Sequence, residues 1–241
     1  MTSTVIDKNT TQMMATTTVE HVDQAMRSRH SIRRFLPTSV PRQVVEDLLS
    51  LAACAPSGTN VQPWRVYALS GDAKASLSSA IVEKFSAQVT EGREFDYYPT
   101  QWVEPYLSRR KKVGLGLYGL LGIGKEDKSA MKAQTARNFL FFDAPVGLIF
   151  TMDRRLGQGM FIDYGMFMGN LMTAARARGL DTCAQAAFAD WHQTIREHLG
   201  ISEGELVVCG MAVGYADPSA PENQLRTERE PVSAFTDFRG F

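Results

Sequence analysis

The richest apolar stretch of the chain, Asn138 to Phe150, is cut by Asp143 and Pro145. Beyond the proline, Val146 to Met152 is a short apolar run that reads as a buried strand. A spanning helix needs roughly 18–20 uninterrupted apolar residues, and nothing here approaches that, so a soluble protein with no membrane partner is expected. The 44% hydrophobic fraction of the 241 residues is close to the globular norm and sufficient for an ordinary core. That length allows one decorated domain or two very small ones.

Helical spacing frames this strand. Val22, Ala25 and Met26 form a short amphipathic stripe running into RSRHSIRRF. Pro41 stands where a helix start tolerates it, and Val44, Val45, Leu48, Leu51 and Ala52 line one face of a helix that stops before Pro56. The segment PSGTNVQPW is dense in turn formers and reads as a loop. A strand is expected over Trp64–Leu69, then a helix near Asp72 carrying Leu77, Ile81 and Phe85. Residues 91–137 are irregular, mixing Phe95, Tyr97, Tyr98, Trp102 and Tyr106 with the basic run Arg109 to Lys112. A long helix from about Asp163 to Arg178 is closed by Gly179, as a C-terminal glycine does. Thr182 to Ala187 reads as a strand or strand end, Trp191 to Leu199 as a helix closed by Gly200, and Leu206 to Val213 as a β-rich run. VSAFTDF, near the end, is a candidate final strand. This order suits an α+β or α/β sandwich of one domain.

Several function classes fall away. With 26 basic and 26 acidic residues, the chain lacks the basic excess of a dedicated nucleic-acid binder. Cys54, Cys183 and Cys209 are scattered and form no C-x-x-C, which supports neither a disulfide framework nor a zinc knuckle. Residues 1–18 lack the features of a signal peptide; they are expected to be a disordered tail, with order from Val19 and a cytoplasmic location. Histidines 21, 30, 192 and 198 show no metal-ligand spacing, and no metal is expected. Gly114 to Gly119 matches G-x-G-x-x-G, but a cationic helix-like run precedes it where a dinucleotide site needs a strand. Ser129-Ala-Met-Lys132 lacks the companion motifs of a β-lactamase.

Two clusters carry chemical information. Residues 27–34 read RSRHSIRR. They suit either a solvated basic patch at a helix end or an anion site, because arginine forks match phosphate oxygens and serine adds a hydroxyl. In Pro56-Ser-Gly-Thr-Asn-Val-Gln-Pro-Trp64, Gly58 permits close backbone approach, while Ser57, Asn60 and Gln62 can both donate and accept hydrogen bonds. Such groups suit the edge of a planar heterocycle with alternating C=O and N–H, and Trp64 anchors the loop to the core.

Together these segments closely resemble the nitroreductase family of flavin mononucleotide enzymes. The R-x-S-x-R opening and the P-S-x-x-N-x-Q-P-W loop are succeeded in order by FFDAP at 141–145, D-x-G-x-x-x-x-N-L-M at 163–172, ARGLDTC at 177–183 and R-x-E-R-E-P at 226–231. The resemblance covers roughly residues 21–241.

It implies an α+β fold, an αβα sandwich with a mostly antiparallel central sheet, and an intertwined homodimer whose C-terminal arms exchange. Residues 19–241 would be one flavin-binding domain, with 91–137 as lid and pocket wall. By the same resemblance, Arg29 and Ser31 would contact the FMN phosphate or ribityl oxygens, with His30 in the same strip. Arg33 would stand beside the flavin N1 and C2 carbonyl, where reduced flavin carries negative charge. Ser57 and Asn60, with Pro56 and Gln62 as second choices, would reach the flavin from the other subunit. Gln185, Ala186 and Ala187 align with the turn whose N–H groups face N5 and O4. Arg229 fits the C-terminal phosphate-binding arginine, and Arg226 is an open substitute for a family lysine. The implied chemistry is NADH- or NADPH-driven reduction of a small nitroaromatic, quinone or related aromatic acceptor, with no side chain acting as a dedicated acid or base. A reductive dehalogenase of the iodotyrosine deiodinase type is a lesser alternative, since its usual His-Thr-Glu is here Asn60-Val61-Gln62. A flavin-fragmenting enzyme and a non-enzymatic flavin binder are others.

Overall fold

The computed structural model of the protein describes residues 8–241, with side chains from Thr17 onward. Its described elements are α1 (Lys8–Ser28), α2 (Arg42–Ala52), β1 (Arg65–Ser70), α3 (Gly71–Ser86), α4 (Tyr106–Leu120), α5 (Lys128–Ala136), β2 (Val146–Asp153), α6 (Met160–Ala177), β3 (Asp181–Gln185), α7 (His192–Leu199) and β4 (Glu205–Gly214). The strands form one antiparallel sheet in the order β1-β2-β4-β3.

The expected buried strand is the inner strand β2, with every residue from Val146 to Met152 buried. Side chains alternate across a strand, so Val146, Leu148, Phe150 and Met152 join one core cluster with α2 and α6 while Ile149 joins another with α3 and α7. This two-faced burial gives an αβα sandwich, as expected. A bulge opposite Phe150 and Thr151 leaves Val208 of β4 outside the pairing. The extra residue lets the consecutive Val208 and Cys209 both pack in the α2/α6 cluster.

On the opposite face the rings of Phe141 and Phe188 stack at 4.4 Å. They lie where side chains of Gly147 and Gly210 would otherwise stand, since a Cβ on Gly147 would meet the Phe141 ring at 2.7 Å and one on Gly210 would collide with Phe188. Only glycine leaves room for this pair. Phe141, Phe142 and Asp143 all adopt left-handed backbone (φ 51°, 53° and 67°), an unfavourable region for non-glycine residues. The segment is held by Phe35 N–H donating to the Phe142 carbonyl and by Arg34 and Arg137 pairing with Asp143 at 2.7 and 3.1 Å.

Three expectations change. Helix α1 begins at Lys8, upstream of Val19, because extending a formed helix costs far less than nucleating one; residues 1–7 of the expected tail lie outside the described residues. Among the described side chains of α1 only Ala25 is buried, while Val22 and Met26 are exposed. The segment VSAFTDF makes a short 3₁₀ turn, Val232–Ala234, rather than a strand, and Phe235, Phe238 and Phe241 stand exposed. The irregular region 91–137 holds two helices, α4 and α5. Gly114, Gly116 and Gly119 lie inside α4, which removes them from any strand-to-helix phosphate loop.

Candidate functional site

After α1 the chain runs extended along the free side of β3. Ser31 bridges Thr182 in parallel, and Ile32 N–H donates to the Thr182 carbonyl at 3.2 Å. Ile32 is buried in the core, so strand alternation turns Ser31 and Arg33 to the other side. Arg29 and Arg33 are half-buried, and among the described residues neither has a carboxylate partner. Among the described residues the Arg33 side chain has only a 3.3 Å bond, from its Nη1 to the Ser31 carbonyl. Burial pushes the Cys183 thiol up, and it is opposed by the positive field of Arg33, the Ser31 hydroxyl and Arg29.

A residue that sequence reading missed fixes the strip. Buried Asn223 accepts at Oδ1 from Arg33 N–H (2.8 Å) and Arg34 N–H (3.2 Å), and its Nδ2 donates to the carbonyls of Arg34 (2.7 Å) and Asp217 (2.9 Å). Its own carbonyl lies 3.2 Å from His30 Nε2 and accepts from Arg226 Nη1 at 2.8 Å. His30 Nδ1 lies 3.1 Å from the Ser28 carbonyl, so the single N–H of the neutral ring can donate to one of these two backbone carbonyls, according to its tautomer. Arg226 thus stands beside the strip. Arg229 is exposed and bonds its own neighbourhood, the Thr227 hydroxyl at 2.8 Å and the Glu228 carbonyl at 2.9 Å. No local pattern around Asn223 signals a role that spans 190 residues of sequence.

At the far end of β3, Gln185 is buried and donates from Nε2 to the Asn138 carbonyl at 2.6 Å. Its Oε1, like the Thr182 hydroxyl, is buried without a partner, a state that usually costs about 1–3 kcal/mol. Ala186 and Ala187 open a 3₁₀ turn, Ala186–Trp191, directly after it.

The loop from Pro56 to Gln62 sits elsewhere. Gly58 N–H donates to buried Asp163 of α6 at 3.2 Å, Gln62 N–H to the Ser57 hydroxyl at 3.0 Å, and Gln62 Nε2 to Asn60 Oδ1 at 3.1 Å. These bonds hold Thr59, Asn60 and Gln62 at positive φ. Trp64 stacks on Phe167 at 4.9 Å and anchors the loop as expected. The loop leads into β1 and the strip flanks β3, which are opposite edges of the sheet. Three inter-strand spacings separate these edges by about 14 Å. Within one chain the structure brings Arg29, Ser31, Arg33 and the Gln185–Ala187 turn to one edge, with His30 and Arg226 behind them, and leaves Ser57, Asn60 and Gln62 at the other.

Beside Gln185 and Ala186 opens a cavity of about 810 Å³, walled by Phe95, Tyr97, Phe161 and Met168. The segment that supplies Phe95 and Tyr97 is pinned just before them. Glu91 accepts from the N–H groups of Gln193 and Thr194 at the start of α7. Arg93 grips Asp190 at 2.5 and 3.1 Å. Glu94 accepts from Arg196 at 2.7 and 2.8 Å and from Arg154 at 2.5 Å. Burial alone would raise the Glu94 carboxyl, but the bonds from Arg154 and Arg196, with the nearby His192, hold it below the usual carboxylate range. Farther along, Tyr98 and Trp102 pack together, and Arg110 lies over Trp102. Arg109 and Lys112 of the basic run pair with Glu230 and Glu228 at 3.0 and 2.6 Å.

The residues over β3 fit an anionic cofactor. Arg29 and Arg33 are half-buried cations without acid partners among the described residues, and the Ser31 hydroxyl lies between them in the chain.

Residues 26–215 match the family model described as Nitroreductase family. A 4-nitrobenzoate reductase from Nocardioides sp. (strain LMS-CY) is 40% identical over 99% of this chain and 98% of its own length. A nitrobenzene nitroreductase from Ectopseudomonas oleovorans is 42% identical over 90% of this chain and 96% of its own. The crystal structure of the FMN and NADPH-dependent nitroreductase NfnB from sphigopyxis sp. strain HMH superposes with a TM-score of 0.87 at 32% identity, covering 91% of this chain and 99% of that one.

Proposed function

The chain belongs to the nitroreductase family, and from that premise we propose that it is an FMN-dependent oxidoreductase that uses NAD(P)H to reduce nitroaromatic acceptors. The observation that carries the proposal is the pair of half-buried, acid-free arginines, Arg29 and Arg33, flanking Ser31 on the edge of β3, beside a turn that opens onto an aromatic-walled cavity. Relatives named for nitroarene reduction at about 40% identity do not favour the dehalogenase alternative.

FMN, when bound, supplies two-electron transfer from the nicotinamide to the acceptor. The chain's own residues bind and orient. Arg29 and Ser31 would hold the cofactor's phosphate or ribityl oxygens, and Arg33 would supply a fixed positive charge that favours the negative charge of the reduced flavin. Backbone N–H groups of the Gln185–Ala187 turn would donate to the ring, and Arg226, beside His30, and Arg229 would add positive charge for the phosphate. Phe95 and Tyr97 wall the acceptor space and exclude water.

The loop residues Ser57, Asn60 and Gln62, with Pro56, act on the partner's cofactor in a homodimer. Three features support this reading: the two halves of the site lie on opposite sheet edges, Val19, Val22 and Met26 of α1 are exposed, and the C-terminal arm presents Phe235, Phe238 and Phe241 to solvent. An exposed apolar arm of this kind suits a second copy. We place the protein in the cytoplasm; among its described residues no helix is long and apolar enough to cross a membrane.

The test is product analysis. Protein loaded with FMN and supplied with NADPH and nitrobenzene should yield nitroso and hydroxylamino products, resolved by chromatography. Flavin uptake with no nitroarene-derived product would overturn the acceptor class, and no uptake would overturn the cofactor.

A further inference from the structure

The substrates named for the two relatives differ in charge: nitrobenzene is neutral and 4-nitrobenzoate carries a carboxylate. The cavity beside the Gln185–Ala186 turn bears on that difference. Its lining is mainly apolar, with Phe95, Tyr97, Phe161 and Met168 as walls, and its charged members are Glu94 and Asp96 alone among the described residues. No described lysine, arginine or histidine lines it.

The cations that stand beside Glu94 and Asp96 are committed elsewhere, and the acid-free Arg29 and Arg33 are not among the residues that line the cavity. Arg93, three residues before Asp96, is held by Asp190 at 2.5 and 3.1 Å. Arg154 and Arg196 stand behind Glu94 and also donate to the Glu205 carbonyl. Asp96 differs from Glu94 in having no ion pair among the described residues: it is exposed at the cavity's edge, and the Arg93 whose charge reaches it is itself bonded to Asp190. A carboxylate brought into an apolar space beside such a group loses its hydration and meets like charge. A neutral ring of the same shape suffers neither penalty.

We propose that this cavity selects uncharged nitroarenes over carboxylated ones, and that Asp96 is the residue that rejects the anion. The inference rests on the functional reading above, which assigns the cavity to the acceptor. It predicts a substrate class nearer nitrobenzene than 4-nitrobenzoate.

Benzamide and benzoate, which are matched in shape and cannot be reduced at a nitro group, test it by binding alone. Each is titrated into FMN-loaded protein, with the flavin absorbance change as readout and flavin content as the loading control. Benzamide should bind about tenfold more tightly than benzoate, the order expected for one partly screened like charge. In Asp96→Asn the gap should close to within about threefold, and in Asp96→Lys it should reverse. Equal binding of the two ligands by loaded wild-type protein, or a gap unchanged in both variants, overturns the proposal while leaving the functional reading in place. Failure of the wild type to take up FMN is a failure of that reading and removes the proposal with it.

Discussion

Replacing Asn223 with alanine should damage the cofactor edge more than any single change within the basic strip itself. The side chain makes four hydrogen bonds of 2.7–3.2 Å, to the backbone of Arg33, Arg34 and Asp217. At a net value of roughly 0.5–1.5 kcal/mol each, their loss costs about 2–6 kcal/mol. Asn223 is buried, so water does not simply take its place. For a domain of this size about 3 kcal/mol corresponds to a fall in Tm of about 6–12 °C. The strip should also lose its fixed path along β3, so FMN affinity should drop by about tenfold, equivalent to about 1.4 kcal/mol of disorder. Asn223→Asp should be no rescue, because it sets a carboxylate oxygen against the carbonyls of Arg34 and Asp217. Thermal melts by circular dichroism, with flavin content measured after gel filtration, provide the assay. A Tm within about 2 °C of wild type together with unchanged flavin content would refute the reasoning.

Other consequences are as direct. Gly210→Ala should cost about 1–3 kcal/mol by overpacking against Phe188, seen as a lower urea midpoint; a neutral result would mean that the ring is free to move. Arg33→Ala should weaken flavin retention and lower the flavin reduction potential, measured by dye-linked spectrophotometry, and unchanged values for both would remove Arg33 from the site. Glu94, held below its ordinary range by Arg154, Arg196 and His192, stabilises the fold fully above its unfolded pKa and loses that stabilisation as pH falls through the lower folded value. Wild type should therefore lose stability more steeply than Glu94→Gln between about pH 5 and 3; parallel curves would contradict this. Burial lifts the Cys209 thiol to about 12 and also raises Cys183, while Cys54 is exposed. A thiol reagent should titrate Cys54 alone in the native protein, and rapid labelling of all three would show the core to be open.

The inner strands were legible because their signals are local. Pro145 ahead of an apolar run marks β2, and Gly179 and Gly200, both at positive φ, mark the ends of α6 and α7. Helix α4 was illegible for the opposite reason: Gly114, Gly116 and Gly119 weaken its pattern, and it buries no residue. The left-handed turn at Phe141–Asp143 contains no glycine to announce it, and its cause lies in partners distant in sequence, Arg34 and Phe35. At the site, the R-x-S-x-R strip and the Gln185–Ala187 turn were readable as motifs, and the structure brings them to one edge of the sheet. Asn223, which fixes the strip, was not readable, since its partners in the strip lie some 190 residues away. VSAFTDF has strand-like composition, but a strand also needs a free edge to pair with, and composition does not encode one.

The absorbance spectrum of the FMN-loaded protein under anaerobic NADPH, and then with nitrobenzene added, tests the assignment of cofactor and reaction most directly. Oxidised-flavin bands should bleach with NADPH and return with the nitroarene. A protein that stays colourless after incubation with FMN, or whose bound flavin neither bleaches nor returns, would contradict that assignment.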